Sequence, residues 1–325
     1  MDTKQIELVA IHPLRPNVLD PLGAEFTLHV LPNADDLAAT LGAAAKRVRG
    51  VVTSPMIGAS TTVLNALPKL ELVALFGVGL ERTNLELAAK RGIVVTTTPV
   101  LYEDVADLAV ALAMDVSRRV AWGDRWVRAG GWEATGKQPA TGRRFSGKRA
   151  GILGMGRIGR MLAGRLGAFG MSVGYYDPRP AADLDYRLFS SAVELAHECD
   201  FLFLCAAGAP GGGYLVDAAT LAALGPDGVF VNVSRGWLVD QAALVDAVTT
   251  GKIAGAGLDV FEKEPHVPQA LLDADNVVIL PHIASNTDES REDMDACLLK
   301  NVRSWFAGDG AVNPVLSVPV TIPIS

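Results

Sequence analysis

Short apolar runs rich in valine, leucine and isoleucine recur along the chain, alternating with longer stretches whose apolar residues return every three or four positions. A brief continuous apolar run is the mark of a strand buried on both faces, and the three-and-four spacing is that of a helix covering it. The pattern predicts repeated strand–helix units around parallel sheets, an α/β fold. Strands are expected over 6–11, 26–30, 50–53, 71–75 and 93–95, with a helical segment at 35–47. Apolar residues at 105, 108, 109, 112, 113, 116 and 120 share one face of a single long helix over 101–120. Residues 123–148 are polar and glycine-rich, which predicts a connecting excursion. Beyond it, strands at 149–153, 172–176, 201–205, 229–233, 256–260 and 277–280 predict a second sheet, then a helix over 288–306 and a proline-punctuated tail.

At 325 residues the chain exceeds one ordinary core. The expected division is a first domain over 1–100, a larger one over 101–286, and a return of 287–325 to the first. Acidic residues outnumber basic ones 36 to 29 and no long basic tract occurs, which argues against nucleic acid as a partner. No apolar run approaches the roughly 18 residues of a membrane span, and the opening Met1-Asp2-Thr3-Lys4-Gln5 does not suggest a signal peptide. Cys199, Cys205 and Cys297 lack the C-x-x-C spacing of a metal or redox site, so no metal is expected and a reducing, cytoplasmic setting is.

Candidate chemistry begins at Gly154-Met155-Gly156-Arg157-Ile158-Gly159, a G-x-G-x-x-G between a predicted strand and a predicted helix. Gly154 permits a tight turn, Gly156 lets backbone approach a pyrophosphate, Gly159 lets the helix pack closely, and the free N–H groups at the helix start attract negative charge. Asp177 follows the next strand, where a carboxylate can accept hydrogen bonds from the adenine-side ribose. Together these predict a dinucleotide-binding domain of the doubly wound Rossmann type. The same carboxylate favours NAD(H), whereas the nearby Arg179 leaves NADP(H) possible.

In such a sheet ligands bind beyond the carboxyl ends of the strands. Arg235 and His282 fall just after predicted strands, Asp259 lies near the end of one and Glu264 just beyond it. Each alone has a plain structural explanation; the combination carries the argument. His12, His29, His197 and His266 have no comparable set of partners and are read as structural or solvated.

The segments Gly77-Val78-Gly79, Glu103 to Ala109, Gly154 to Gly159, Asn232-Val233-Ser234-Arg235-Gly236, Gly257 to Pro265 and Pro281-His282-Ile283-Ala284-Ser285 resemble, in order, those of the D-isomer-specific 2-hydroxyacid dehydrogenases. Within that family the chain looks most like the glyoxylate/hydroxypyruvate and hydroxyphenylpyruvate reductases. The resemblance implies a smaller, flavodoxin-like substrate domain made from both chain ends, and a homodimer formed through 101–148. It implies Arg235, Glu264 and His282 as the catalytic set and Asp259 near the nicotinamide. Val78 and Gly79 would form a backbone cradle for the substrate carboxylate, with Arg235 a second substrate contact. Val233 and Ser234 would join Gly154 to Gly159 and Asp177 on the cofactor. Leu80-Glu81-Arg82 departs from the family pattern beside the cradle, which bears on substrate side-chain choice.

The residue types suit reduction of a small 2-keto acid. Imidazole titrates near working pH and can supply the proton, a neighbouring carboxylate favours its charged form, and a guanidinium can fork onto carboxylate and keto oxygen. Two other readings share the fold: a non-catalytic NAD(H)-sensing binding protein and a reductase of aryl keto acids such as 4-hydroxyphenylpyruvate. A formate dehydrogenase would be expected to carry glutamine where Glu264 stands.

Overall fold

The computed structural model describes residues 3–11, 14–100, 102–179, 183–208 and 212–315. They divide into two compact units, one holding the residues before Tyr102 together with those from Thr287 onward, the other spanning Tyr102–Asn286.

In the first unit five parallel strands, β1 (Glu7–Ile11), β2 (Thr27–Leu31), β3 (Val48–Thr53), β4 (Leu72–Leu75) and β5 (Val94–Thr96), form a sheet of order β2-β1-β3-β4-β5. Val9, Val51 and Val73 stand in one register across its middle, and β4 is buried along its whole length, as its unbroken apolar run requires. The helical segment expected at 35–47 is two pieces, an α-helix Leu37–Leu41 and a 3-10 turn Gly42–Lys46, because Gly42 takes φ 53 and ends the first. The helix Asp288–Ala307 belongs to this unit. Its wholly buried Asn301 donates to the Thr97 carbonyl and accepts from the Asn313 N–H, while the Val315 N–H reaches the Val95 carbonyl at 2.8 Å. The expected tail beyond 315 lies outside the described residues.

In the second unit seven parallel strands run β6 (Arg149–Leu153), β7 (Ser172–Tyr176), β8 (Arg187–Leu188), β9 (Phe201–Leu204), β10 (Val229–Asn232), β11 (Gly255–Leu258) and β12 (Val277–Ile279). Their order is β12-β11-β10-β9-β6-β7-β8. Six were expected; β8 is an exposed two-residue edge strand with no apolar run to announce it. The long helix Tyr102–Arg118 packs on β10 and β11, burying Val105, Ala106, Ala109, Val110, Leu112, Ala113 and Ser117. Positions 108, 116 and 120 of the expected stripe are not buried. A Cβ on Gly257 would come within 2.8 Å of Leu112 Cβ, so this glycine lets the helix lie close to the sheet. Arg119, at φ 55, ends the helix, and the polar excursion then forms two further helices, Val120–Arg128 and Gly131–Thr135, neither with a buried residue.

Candidate active site

The strand order places the topological switch between β6 and β9: the chain passes from β6 outward to β7 and β8, then crosses to β9 on the other side. The glycine turn sits there. Gly154 takes φ 97, and a Cβ on it would come within 2.5 Å of Ala206, which follows β9. A Cβ on Gly159 would fall 2.2 Å from the Gly154 carbonyl oxygen, so the helix Arg157–Ala168 can start against the turn only as glycine. Gly156 differs, because a Cβ there meets no atom within 4 Å. Protein packing does not demand glycine at Gly156, whereas close approach of a phosphate would. No side chain caps this helix N-terminus, and its first-turn N–H groups suit an anion. The residues therefore fit a dinucleotide.

Asp177 binds the two loops on this side together. Its Oδ2 accepts from the Met155 N–H at 3.0 Å and its Oδ1 from the Arg179 N–H at 2.9 Å. Met155 itself is buried, Ile158 is half-buried, and Arg157 lies with its guanidinium over the Tyr102 ring. Across the switch, Ser234 donates its hydroxyl to the Ala206 carbonyl, so the loop after β10 is tied to the loop after β9. Val233 is buried beside it. Of the glycine-rich stretch after β9, residues 209–211 lie outside the described residues.

Further along the rim the loops after β10, β11 and β12 converge. Asn232, almost wholly buried, staples the first: its Oδ1 accepts from the Ser234 N–H at 3.0 Å and its Nδ2 donates to the Arg235 carbonyl at 3.2 Å. Gly236 lies directly on the next loop, where a Cβ would fall 1.9 Å from the Phe261 carbonyl carbon. Arg235, on the first loop, is thereby brought near Glu264 on the second, close enough for its charge to help hold the Glu264 carboxyl down.

Glu264 Oε1 accepts from the Phe261 N–H at 3.1 Å, and its Oε2 lies 2.8 Å from His282 Nδ1. Burial alone would raise the Glu264 carboxyl, but the hydrogen bond and charge of His282, the Phe261 N–H and Arg235 outweigh it and hold the group below its ordinary range. An ionised carboxylate can only accept, so Nδ1 carries the proton toward it and Nε2 is the nitrogen left for other chemistry.

His282 takes φ 56, in the left-handed region, and the turn is clamped from below. The His282 N–H reaches the Asp259 carbonyl at 2.9 Å; the Ile283 and Ala284 N–H groups reach Asp259 Oδ1 and Oδ2 at 2.8 and 2.9 Å. Asp259 is fully buried, and burial raises its carboxyl despite those two N–H bonds. Both of its oxygens thus face the turn that carries His282.

Val78 and Gly79 belong to the first unit, in the turn after β4. Gly77, at φ 136, anchors it: its N–H bonds to Thr98 Oγ1 at 2.7 Å and its carbonyl accepts from the Thr98 N–H at 3.0 Å. Of the histidines set aside, His29 pairs with Glu7 at 2.9 Å on the sheet of this unit, and His12 lies outside the described residues. Asn232 and Gly236, quoted from sequence only as part of the resembling segment, and Trp237, which sequence reasoning passed over, all shape the Arg235 loop. The only signal for Trp237 was its adjacency to Arg235.

A doubly wound parallel sheet with a glycine turn at its switch point is the architecture of a dinucleotide-dependent oxidoreductase domain. A sequence model described as "D-isomer specific 2-hydroxyacid dehydrogenase, NAD binding domain" matches residues 110–284. The chain is 41% identical over 273 residues to a hydroxyphenylpyruvate reductase of Plectranthus scutellarioides, covering 84% of this chain and 87% of that protein. It is 38% identical over 311 residues to a 2-ketogluconate reductase of Gluconobacter oxydans (strain 621H), covering 95% and 98%. The crystal structure of an NADPH-dependent glyoxylate/hydroxypyruvate reductase from Sinorhizobium meliloti, in complex with NADP and malonate, matches with a TM-score of 0.90 at 38% identity, covering 99% of this chain and all of that one. The chain belongs to the D-isomer-specific 2-hydroxyacid dehydrogenases.

Proposed function

We propose that this NAD(P)-dependent oxidoreductase reduces a small 2-keto acid of the glyoxylate or hydroxypyruvate type to the D-2-hydroxy acid. The observation that carries the reading is the Glu264–His282 pair at 2.8 Å, close to Arg235 on the rim of the NAD-binding sheet. A bound reduced nicotinamide supplies the hydride. His282, with Nδ1 engaged by Glu264, gives the proton from Nε2 to the keto oxygen as negative charge develops there. Arg235 holds the substrate carboxylate and polarises the carbonyl. Val78 and Gly79 bind the carboxylate through backbone N–H groups, and the loops carrying Gly154 to Gly159, Asp177, Val233 and Ser234 bind the dinucleotide. Asp177 favours NADH over NADPH. The three cysteines are unpaired, in keeping with a reducing, cytoplasmic setting, and the active form is a homodimer. No helix among the described residues is long and apolar enough to cross a membrane.

The test is a panel of glyoxylate, hydroxypyruvate, pyruvate, 2-ketogluconate and 4-hydroxyphenylpyruvate, each with NADH and NADPH. Small keto acids should lead, and His282→Ala should cost about two to four orders of magnitude in turnover with cofactor affinity retained. A preference for the aryl substrate would favour the other reductase reading, and no turnover with measurable NAD(H) binding would favour a sensing role.

A further inference from the structure

Trp237 stands two residues after Arg235, in the short 3-10 turn Gly236–Leu238. Its ring packs on the core of the second unit, and the Arg235 guanidinium carbon lies 5.8 Å from the ring centroid. The indole N–H is buried and has no hydrogen-bond partner among the described residues. As mere filling this is a poor choice of residue, because burying an unpaired N–H costs free energy that phenylalanine or leucine would not incur. What indole offers in return is the most electron-rich face of any side chain, and the cation within reach of it is Arg235.

We propose that Trp237 is a positioning residue for Arg235, holding the plane of its guanidinium for the substrate carboxylate. A guanidinium has donor edges and two flat faces, so fixing its plane takes one restraint of each kind. The edge restraint is present: Arg235 Nη1 donates to the Ser234 carbonyl at 2.8 Å. Trp237 supplies the face restraint. The backbone between them cannot drift, since Asn232 grips Ser234 and Arg235 while Gly236 is wedged against Phe261 and Glu262. The ring is therefore the adjustable part of the arrangement, and its identity sets how the guanidinium is presented.

The inference rests on the proposed keto-acid reduction, and a double-mutant cycle separates the two. With the best keto acid of the panel, Trp237→Leu should lower kcat/KM about five- to tenfold, mostly through KM, while cofactor affinity stays within about twofold. Trp237→Phe, which keeps an aromatic face, should recover most of the loss. In the Arg235→Gln background, where no cation remains for the ring to hold, Trp237→Leu should change the residual rate less than about twofold. If the leucine variant does not fold, Trp237→Met serves in the same cycle. A wild type that reduces none of the keto acids overturns the proposed function and this inference together. An active wild type in which the two substitutions act independently, or in which cofactor affinity falls with substrate affinity, overturns this inference alone.

Discussion

At the scale of single residues, the Glu264–His282 contact makes a prediction about pH. The Glu264 carboxyl is held below its ordinary range, so it stays ionised through neutral and alkaline pH and accepts from His282 Nδ1 throughout. Glu264→Gln keeps an acceptor for Nδ1 but removes the charge. In pH–rate profiles of keto-acid reduction, wild type should keep its rate until the pH falls below the ordinary carboxyl range, where Glu264 protonates, while the variant, which has no such titration, should run slower and lack that acid limb; superimposable profiles would contradict the coupling. Asp259 makes a different prediction. Asparagine offers one carbonyl oxygen where aspartate gives two, so Asp259→Asn sets an NH₂ against one of the Ile283 and Ala284 N–H groups and loosens the turn beneath His282. Turnover should fall roughly 10- to 100-fold from misplacement of the imidazole. Cofactor affinity, measured separately, should hold, and its collapse would return Asp259 to the nicotinamide contact expected from sequence. Arg235 and His282 were legible as rim residues because each comes two positions after a predicted apolar strand, and Glu264 because it lies four beyond one, whereas the catalytic roles proposed for them rest on the family resemblance. The clamp was not, because Asp259 is 23 residues from His282 and its bonds go to backbone, which any sequence supplies.

Elements were legible in proportion to how much of them the core claims. β4, β9 and β10 are buried at every position, so their apolar runs announce them; β8 is exposed, and the excursion helices have no buried face to impose a period. The loops between elements carry the choice of cofactor. Asp177 joins the turn after β6 to the turn after β7 through Met155 and Arg179, which fixes a carboxylate where the sequence expects the adenine-side ribose. A 2′-phosphate there would meet like charge, whereas a 2′-hydroxyl would meet an acceptor. Wild type should therefore show the higher kcat/KM with NADH, and Asp177→Ser should narrow or reverse that preference. The Sinorhizobium meliloti relative is NADPH-dependent, so family membership alone does not decide the matter. A wild type that prefers NADPH, or a variant with unchanged preference, would show that another group makes the choice. The variant should also lose some thermal stability, since one serine hydroxyl cannot replace both carboxylate oxygens that accept from the Met155 and Arg179 N–H groups.

At the scale of the whole molecule, the excursion is the part of the second unit that its own core does not account for. The helix Val120–Arg128 has no buried residue, yet Val120 is 59% exposed, Val127 48% and, just beyond, Trp132 55%. Single exposed apolar residues are ordinary, but three within 13 positions, on helices that bury nothing, make a patch that a partner surface would shield from water. A second copy of the same segment is the simplest partner, because in a two-fold interface each copy offers the other the same patch. The protein should then have twice the 34.2 kDa chain mass in light scattering at micromolar concentration. Trp132→Asp, or Val127→Asp with Trp132→Asp, should shift it toward one chain per particle, because an aspartate placed in the patch would be desolvated without a counter-charge. Circular dichroism should stay unchanged, since neither side chain is part of either core. A wild type that remains a single chain up to high micromolar concentration, or a double variant with unaltered mass, would mean that the excursion serves some other purpose.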